Sequence, residues 1–402
     1  MQPPIDLRRN YALHLLGGGF LFIGLQFGNM RLVVPWIDTQ LGVAYLLVAL
    51  IVPVLQFSLI VAQLGGAPLV SRFALRKQPV VGLVLVLVVA LLAIIGAATS
   101  LPAWLAGLVL LGCVLCFGVS HGAFNVGYDD LLAKTIPDAR RGRLVAHRAA
   151  LGGGLTLLVS LAVLVYLPAV EGNQVLLLWL AVAGWLGVAL AYGALEEPAS
   201  PPVCKPFALA ELSHGFRLIG AYPWFRRLLI GRALLLSAEL AVPFYAIHAA
   251  TMYGPTAQNP TVFVLTSGLG VVASGLLWAG ATNRARMAAG ALFALAAGVL
   301  TLVIDANETW QITYLHAFVF VLLTLAEQGS VQGQINYLMD HAPASERPTL
   351  IATANASIRT LGIGVALALG AAGHLHDIRT PLVVLMAFNA AAAWYAFRAL
   401  KS

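Results

Sequence analysis

Long apolar runs, separated by short polar turns, fill almost the whole chain. A helix of about 20 apolar residues spans the hydrocarbon core of a bilayer, and these runs are too long for the strands of a membrane barrel. The pattern therefore predicts an all-α polytopic membrane protein with twelve transmembrane helices. The predicted spans are 11–35, 41–64, 80–97, 102–128, 144–167 and 175–195 in the first half, and 225–253, 260–281, 287–304, 310–338, 350–375 and 381–400 in the second.

The two halves of the chain repeat each other weakly at a constant offset of 206 residues. Segment 121–146 aligns without gaps on segment 327–352, and each holds a polar helix end, a proline, basic residues and a second apolar run. The matched pairs are Gly127 with Gly333, Leu132 with Leu338, Pro137 with Pro343, Arg141 with Arg347, Leu144 with Leu350 and Ala146 with Ala352. Such repeats are typical of two-fold transporter folds, although two unrelated helix hairpins also match by chance.

One long polar stretch separates the halves. The repeat and this stretch predict an N-terminal six-helix bundle over 1–195, a cytoplasmic linker over 196–224 and a C-terminal six-helix bundle over 225–402. The two bundles are expected to be pseudo-symmetric. The prolines of the linker predict an irregular start, and segment 208–219 predicts a short amphipathic helix on the membrane surface.

Charge sets the expected orientation in the membrane. Only 10% of the residues are charged, whereas a soluble domain carries about 25%. With both termini inside, the loops and helix ends on the cytoplasmic face hold 19 of the 23 Lys and Arg residues. Basic residues gather in cytoplasmic loops, so we expect a multi-pass protein of the cell inner membrane with both termini cytoplasmic. The net charge of +7 then has this origin and does not indicate nucleic acid.

Three cysteines offer no cofactor chemistry. Cys113 and Cys116 lie one turn apart in an apolar helix, where geometry disfavours a disulfide, and Cys204 lies in the linker. No second pair completes a metal site, and the sequence lacks the GK[ST] element of a phosphate-binding loop. We therefore expect neither a metal nor another cofactor.

The loop after the second span carries a family resemblance. It reads GGAPLVSRFALRK, and with six plus six spans and a central loop the chain resembles the major facilitator superfamily over its full length. The signature loop of that family is written G-x-x-x-D-R-x-G-R-K. Arg72, Arg76 and Lys77 match its basic positions, whereas Ser71 stands at the acidic one.

The resemblance implies a gate formed by salt bridges, and the serine at the acidic position removes one carboxylate from it. Asp129 and Asp130, at the end of the fourth span, are placed to supply a carboxylate to these arginines. The predicted gating residues are Arg72, Arg76, Asp129, Asp130, Arg141 and Arg347.

The resemblance implies that spans 1, 4, 7 and 10 line a central cavity, and independently these are the most polar spans. The candidate residues for binding substrate or protons are Gln26, Asn29, Arg31, His121, Asn125, Glu239, Tyr245, His248, Glu327, Gln328 and Gln332. Spacing places Gln26 and Asn29 on one helix face, and His121, Asn125 and Tyr128 on one stripe.

Two carboxyls within predicted spans suggest proton chemistry. A charge in mid-membrane costs about 2.5–3.5 kcal/mol, and desolvation favours the neutral acid. Glu239 and Glu327 are therefore candidate proton carriers, or else structural carboxyls bonded to a neighbouring Arg or Tyr. His121, at the repeat position of Glu327, is either a proton carrier or a core histidine. Arg31 either attracts an anionic group, or it is a snorkelling or ion-pairing residue.

These features predict a secondary active transporter that moves a small organic solute by alternating access, with proton coupling. It is expected to be a monomer in the lipid bilayer and not an enzyme. The rival interpretation is a non-transporting membrane protein, either an enzyme or an accessory scaffold. Its only compact cluster is His374, His376 and Asp377, which is a metal-binding set or simply a polar turn.

Overall fold

A computed structural model describes residues 6–166, 175–201, 209–253, 258–343 and 346–398. Within these ranges the chain is helical and contains no strand. The first helices are α1 (Leu7–Phe27), α2 (Val33–Gln40), α3 (Tyr45–Ala49), α4 (Ile51–Ser71), α5 (Lys77–Ser100), α6 (Ala103–Thr135), α7 (Asp138–Tyr166) and α8 (Val175–Gly193). The later ones are α9 (Leu209–Ala221), α10 (Pro223–Met252), α11 (Gln258–Leu277), α12 (Asn283–Asp305), α13 (Thr313–His341), α14 (Arg347–Leu375) and α15 (Thr380–Arg398).

The helices confirm the predicted all-α membrane protein. Over the part of the chain that the structure describes, 11 candidate spans are long and apolar enough to cross a bilayer, with α3 and α4 together forming one from Tyr45 to Ser71. They correspond to predicted spans 2–12. The first predicted span, 11–35, is interrupted: α1 ends at Phe27, and a separate short helix, α2, follows.

The interruption has a local cause. The Asn29 side chain accepts a hydrogen bond from the Arg31 N–H at 2.9 Å, and the Asn29 carbonyl accepts one from the Val33 N–H at 2.8 Å. Asparagine side chains compete with helical hydrogen bonds in this way. The prediction that Gln26 and Asn29 share a helix face was therefore wrong, since Asn29 lies beyond the end of α1 at Phe27.

The helices form two compact units. Unit 1 holds the described residues of Met1–Val43, Phe57–Phe207 and Thr256–Gln258, and unit 2 those of Ala44–Gln56, Ala208–Pro255 and Asn259–Ser402. The same pairings recur in both. In unit 1, α1 packs on α7 and α8, and α5 on α6 and α8; in unit 2, α10 packs on α14 and α15, and α12 on α13 and α15. This recurrence is the pseudo-symmetry that the repeat predicted.

Matched glycines explain part of the repeat. A Cβ at Gly127 would lie 2.9 Å from the side chain of Val80, and one at Gly333 would lie 2.8 Å from that of Met287. Each glycine thus allows α6 or α13 to approach its neighbour, α5 or α12, closely.

The start of the second span belongs to unit 2. Ala49 lies against Gly370 and Tyr45 against Gly373, so that α3 packs on α14. The bundle limits at 195 and 225 stay predictions. In the linker, α9 matches the predicted helix at 208–219 and packs on α14, with Gly215 against Thr353.

Candidate functional site

Unit 2 contains a polar cluster inside its membrane-spanning helices. Arg232 of α10 donates from Nε to Oε1 of Gln334 on α13 at 2.9 Å, and from Nη2 to Oδ1 of Asn355 on α14 at 3.0 Å. Gln334 is only 2% exposed. These amides are neutral, so they hold the guanidinium in place without cancelling its charge.

Two further charges act on this arginine. The carboxylate of Glu239, seven residues along α10, attracts the Arg232 guanidinium, and the guanidinium of Arg359 on α14 repels it. Arg359 itself donates from Nη1 to Oε1 of Gln56 at 3.1 Å. We call Arg232, Glu239, Gln334, Asn355 and Arg359 the unit 2 polar cluster.

Three of the predicted residues lie on α13 near this cluster. Glu327 is half-buried and lies seven residues before Gln334, so that both face the same side of the helix. Gln328 and Gln332 are also half-buried. Of the acidic candidates, Glu239 thus belongs to the cluster and Glu327 shares its helix face.

Tyr245 and His248 lie elsewhere in unit 2. Tyr245 is fully buried where Gly298 of α12 makes room for its hydroxyl. His248 lies with its Nε2 atom 3.7 Å from Oδ2 of Asp305, an oxygen that also accepts from Nε of Arg379 at 2.5 Å. The structure therefore does not bring these two residues into the polar cluster.

His121 in unit 1 lies among aromatic rings. Its ring stacks on Phe117 at 6.0 Å and on Phe124 at 6.3 Å between centroids, and it meets Trp185 edge-on at 5.9 Å. Asn125, one turn further along α6, is exposed. The two roles that the sequence left open for His121, proton carrier and core histidine, stay predictions.

Tyr128, which the spacing places on one stripe with His121 and Asn125, belongs to a hydrogen-bond network that the sequence did not predict. Arg148 donates from Nη1 to the Tyr128 hydroxyl at 2.5 Å and from Nη2 to the Tyr192 hydroxyl at 3.2 Å. The Tyr128 hydroxyl lies 3.1 Å from Nδ1 of His14, and Thr135 lies 2.7 Å from Nε2. Thr135 also donates to the Leu131 carbonyl at 2.7 Å, an arrangement that fits a neutral His14 with Nε2 as the donor and Nδ1 as the acceptor.

The end of unit 1 near the N-terminus contains a charged network. Arg76 donates from Nε to Oδ2 of Asp130 at 2.6 Å, whereas Arg72 is exposed. Glu197, whose side chain is fully buried, pairs with Lys134 at 2.9 Å. Glu197 also accepts the backbone N–H groups of Arg76 and Lys77 at 2.7 and 2.8 Å, which caps the start of α5.

Asp129, the other carboxyl predicted for this network, is exposed. Its neighbour Asp130 is the one that contacts an arginine of the loop after the second span. Arg31, in the break after α1, is half-buried.

Arg141 and Arg347, which are matched in the sequence repeat, cap equivalent helix ends. Arg141 donates to the carbonyls of Ile136 at 2.8 Å and Ala133 at 2.5 Å, five and eight residues earlier. Arg347 donates to the carbonyls at the same two offsets, Ala342 at 3.3 Å and Met339 at 3.2 Å. Each arginine therefore satisfies the free carbonyls at the end of the preceding helix.

In the described ranges, no group of three or more His, Cys, Asp and Glu side chains is placed to hold a metal ion. In the segment that holds His374, His376 and Asp377, the Asp377 carboxylate accepts a hydrogen bond from the Arg379 N–H at 2.7 Å, as is typical of a polar turn. Cys113 and Cys116 are free, and Cys204 lies outside the described residues.

The most informative residue missing from the predicted site is Arg232. Its signal was present in the sequence, since it is a cation inside an apolar run. Asn355 and Glu197 gave no comparable signal, because an amide in a span and a glutamate in a linker are common. Their importance depends on partners more than 60 residues away.

The sequence matches the model of the Major Facilitator Superfamily over residues 15–367. Two curated relatives, uncharacterised proteins of Mycobacterium bovis and Mycobacterium tuberculosis, are each 27% identical over 395 residues, covering 95% of this chain and 75% of the relative.

Solved structures with the same fold include three transporters. A D-xylose-proton symporter has a TM-score of 0.71 at 13% identity, covering 98% of both chains. A nucleoside transporter has a TM-score of 0.70 at 13% identity, covering 97% of this chain and 100% of the other. A POT family transporter in complex with a thioalcohol-conjugated peptide has a TM-score of 0.68 at 11% identity, covering 97% and 95%.

Proposed function

The chain belongs to the major facilitator superfamily of membrane transporters, and we propose that it moves a small organic solute across the cell inner membrane by alternating access, driven by protons. Its termini lie in the cytoplasm and it acts as a monomer. The Arg76–Asp130 pair and the arginine-capped loops at Arg141 and Arg347 belong to the cytoplasmic gate.

The unit 2 polar cluster carries this proposal. Arg232 is half-buried among membrane helices, where a guanidinium is costly and usually marks a transport path. Arg232 is held by Gln334 and Asn355 from two other helices, with Glu239 within electrostatic reach. The cluster thus offers donors, acceptors and both signs of charge in one place, which suits a polar or weakly charged organic solute.

The solutes of the structural neighbours agree with this class. One neighbour is described as a nucleoside transporter, one as a D-xylose-proton symporter and one as binding a conjugated peptide. All three are polar organic molecules. The likeness to these proteins is of fold.

Glu327 is the proposed proton carrier of unit 2. It shares the face of α13 with Gln334 and lies within the membrane span, where a carboxyl is costly and often belongs to a proton path. Glu239, beside Arg232, is the alternative carrier in the same cluster.

The test is uptake of radiolabelled nucleosides, sugars and small peptides into proteoliposomes with an imposed pH gradient. We expect Glu327→Gln to lose gradient-driven accumulation of the active solute but to retain exchange without a gradient, since glutamine keeps the shape and cannot release a proton. Arg232→Gln is expected to weaken solute binding, because it removes the charge that the amides of Gln334 and Asn355 hold in place.

Glu308→Gln is the matched control, since Glu308 is an exposed carboxyl outside the spans. Full gradient response in Glu327→Gln would transfer the proton role to Glu239. If the wild-type protein neither accumulates a solute under a pH gradient nor exchanges one without it, the proposed transport is contradicted.

A further inference from the structure

Asp38 is a buried carboxyl outside the unit 2 polar cluster. It lies in α2, between α1 and the membrane span that begins at Tyr45, and only 1% of it is exposed. Its Oδ1 atom is buried and has no hydrogen-bond partner among the residues that the structure describes. Buried polar atoms are nearly always hydrogen-bonded, so an orphaned carboxyl oxygen requires a physical explanation.

The position of Asp38 in its helix makes a negative charge still less favourable. The Val43 N–H donates to the Asp38 carbonyl at 3.0 Å, and the Gly42 N–H donates to the Thr39 carbonyl at 3.1 Å. With Gly42 at φ 73°, these bonds form a Schellman cap at the C-terminal end of α2. The C-terminus of a helix carries partial negative charge, which repels a carboxylate.

Among the described residues, no charged side chain contributes to the electrostatics of Asp38. Of the helices, α6 packs against α2, and it carries no charged side chain before Asp129. The titratable side chains of α6 up to that point are Cys113, Cys116, His121 and Tyr128. Along the chain, the flanking titratable groups are Arg31 and Tyr45. Burial raises the pKa of the Asp38 carboxyl to about 8.

We propose that Asp38 is a proton-binding site of this transporter, and that its charge state controls the turn between α2 and α3. The role of this site in transport rests on the proton coupling proposed above. On uptake, an O–H bond forms between the carboxylate and a proton from water; on release that bond breaks and the proton returns to water. No other bond changes.

The link between proton and turn follows from the cap. Neutral Asp38 is compatible with burial, so the end of α2 stays closed. An ionised carboxylate needs water, and water reaches Oδ1 only if the helix end that the Asp38 carbonyl anchors opens. Proton release and opening of the turn at Gly42 are therefore coupled.

A titration without substrate tests the site directly. Infrared difference spectra of the full chain in liposomes, stepped from pH 5 to pH 9, should show a protonated carboxyl that ionises near pH 8 in the wild type. Asp38→Asn should remove this band, Asp38→Glu should retain a shifted one, and Glu308→Gln should leave it unchanged. Persistence of the band in Asp38→Asn would overturn the assignment.

Thermal unfolding provides a second readout. Since folding raises the pKa of Asp38, its contribution to stability is complete at low pH, below the pKa of the unfolded chain, and is lost as the pH rises towards about 8. The melting temperature of Asp38→Asn should therefore exceed that of the wild type by a margin that grows up to about pH 8 and then levels off. A margin independent of pH would contradict the proposal.

Uptake of the solute identified in proteoliposomes separates this inference from the proposed function. Asp38→Asn should lose gradient-driven accumulation and retain exchange. If wild-type transport ignores the pH gradient while the carboxyl still titrates, proton coupling fails and the proton site stands. If the gradient drives wild type and Asp38→Asn equally, the role of Asp38 in transport is refuted while the proposed function stands.

Discussion

At the scale of single residues, charged side chains within the helix bundles are held by partners that are distant in the sequence. Arg232 is held by amides 102 and 123 residues away. Glu197 serves three groups at once, Lys134 and two backbone N–H groups at the start of α5. Because its side chain is fully buried, the loss of its charge leaves these donors without an adequate acceptor.

We expect Glu197→Gln to destabilise the protein by about 3 kcal/mol, since breaking a buried ion pair leaves the lysine charge uncompensated. Thermal unfolding in detergent measures the effect. Glu308→Gln, which neutralises an exposed glutamate, is the control and should change stability little. Equal melting temperatures for the two variants would mean that the Glu197 network contributes nothing to stability.

At the scale of elements, helix ends govern the architecture. The break after α1 depends on Asn29, and the end of α2 depends on the cap around Gly42. Arg141 and Arg347 close two further helix ends with the same pair of bonds. In each case a few side chains decide where an apolar run stops being helical.

The cap of α2 yields a direct prediction. Gly42→Ala should destabilise the protein by roughly 1–2 kcal/mol, because φ is 73° there and a Cβ is disfavoured in this conformation. Gly82→Ala is the matched control: it lies inside α5 with no atom within 4 Å of an added Cβ, so helix propensity alone should make it neutral or slightly stabilising. Chemical denaturation of both variants measures the difference, and a stable Gly42→Ala would argue against the cap.

At the scale of the whole molecule, variants of the ion pair between Arg76 and Asp130 allow an effect on gating to be separated from an effect on stability. Asp130 is 47% exposed in its side chain, so its loss should cost at most about 1 kcal/mol. Arg76 is 7% exposed and also donates to the carbonyls of Val70 and Ser71. Its loss should be more costly.

We therefore expect Asp130→Asn to change the initial rate of uptake with little change in melting temperature, and Arg76→Gln to lower both. Uptake into proteoliposomes and thermal unfolding measure the two effects. Asp130→Asn with a wild-type rate would remove this pair from the gate, whereas the fold would be unaffected.

Features that depend on local physics were predictable from the sequence. Apolar runs of membrane length identify the helices, because a helix satisfies its backbone within itself. The matched Gly127 and Gly333 indicated the repeated architecture, and the loop with Arg72 and Arg76 indicated the family. These signals need only neighbouring residues and the known thickness of a bilayer.

Partner choice depended on the tertiary structure. Nothing in the order of residues states that Asp130 meets Arg76 and not Arg72, or that His121 lies among aromatic rings. A buried polar group is stabilised by whichever atoms the packed helices bring within about 3 Å, and those atoms come from distant segments. Asp38 differs from these groups, because packing buries its carboxyl and brings no described hydrogen-bond partner to Oδ1. No pattern in the sequence revealed this burial.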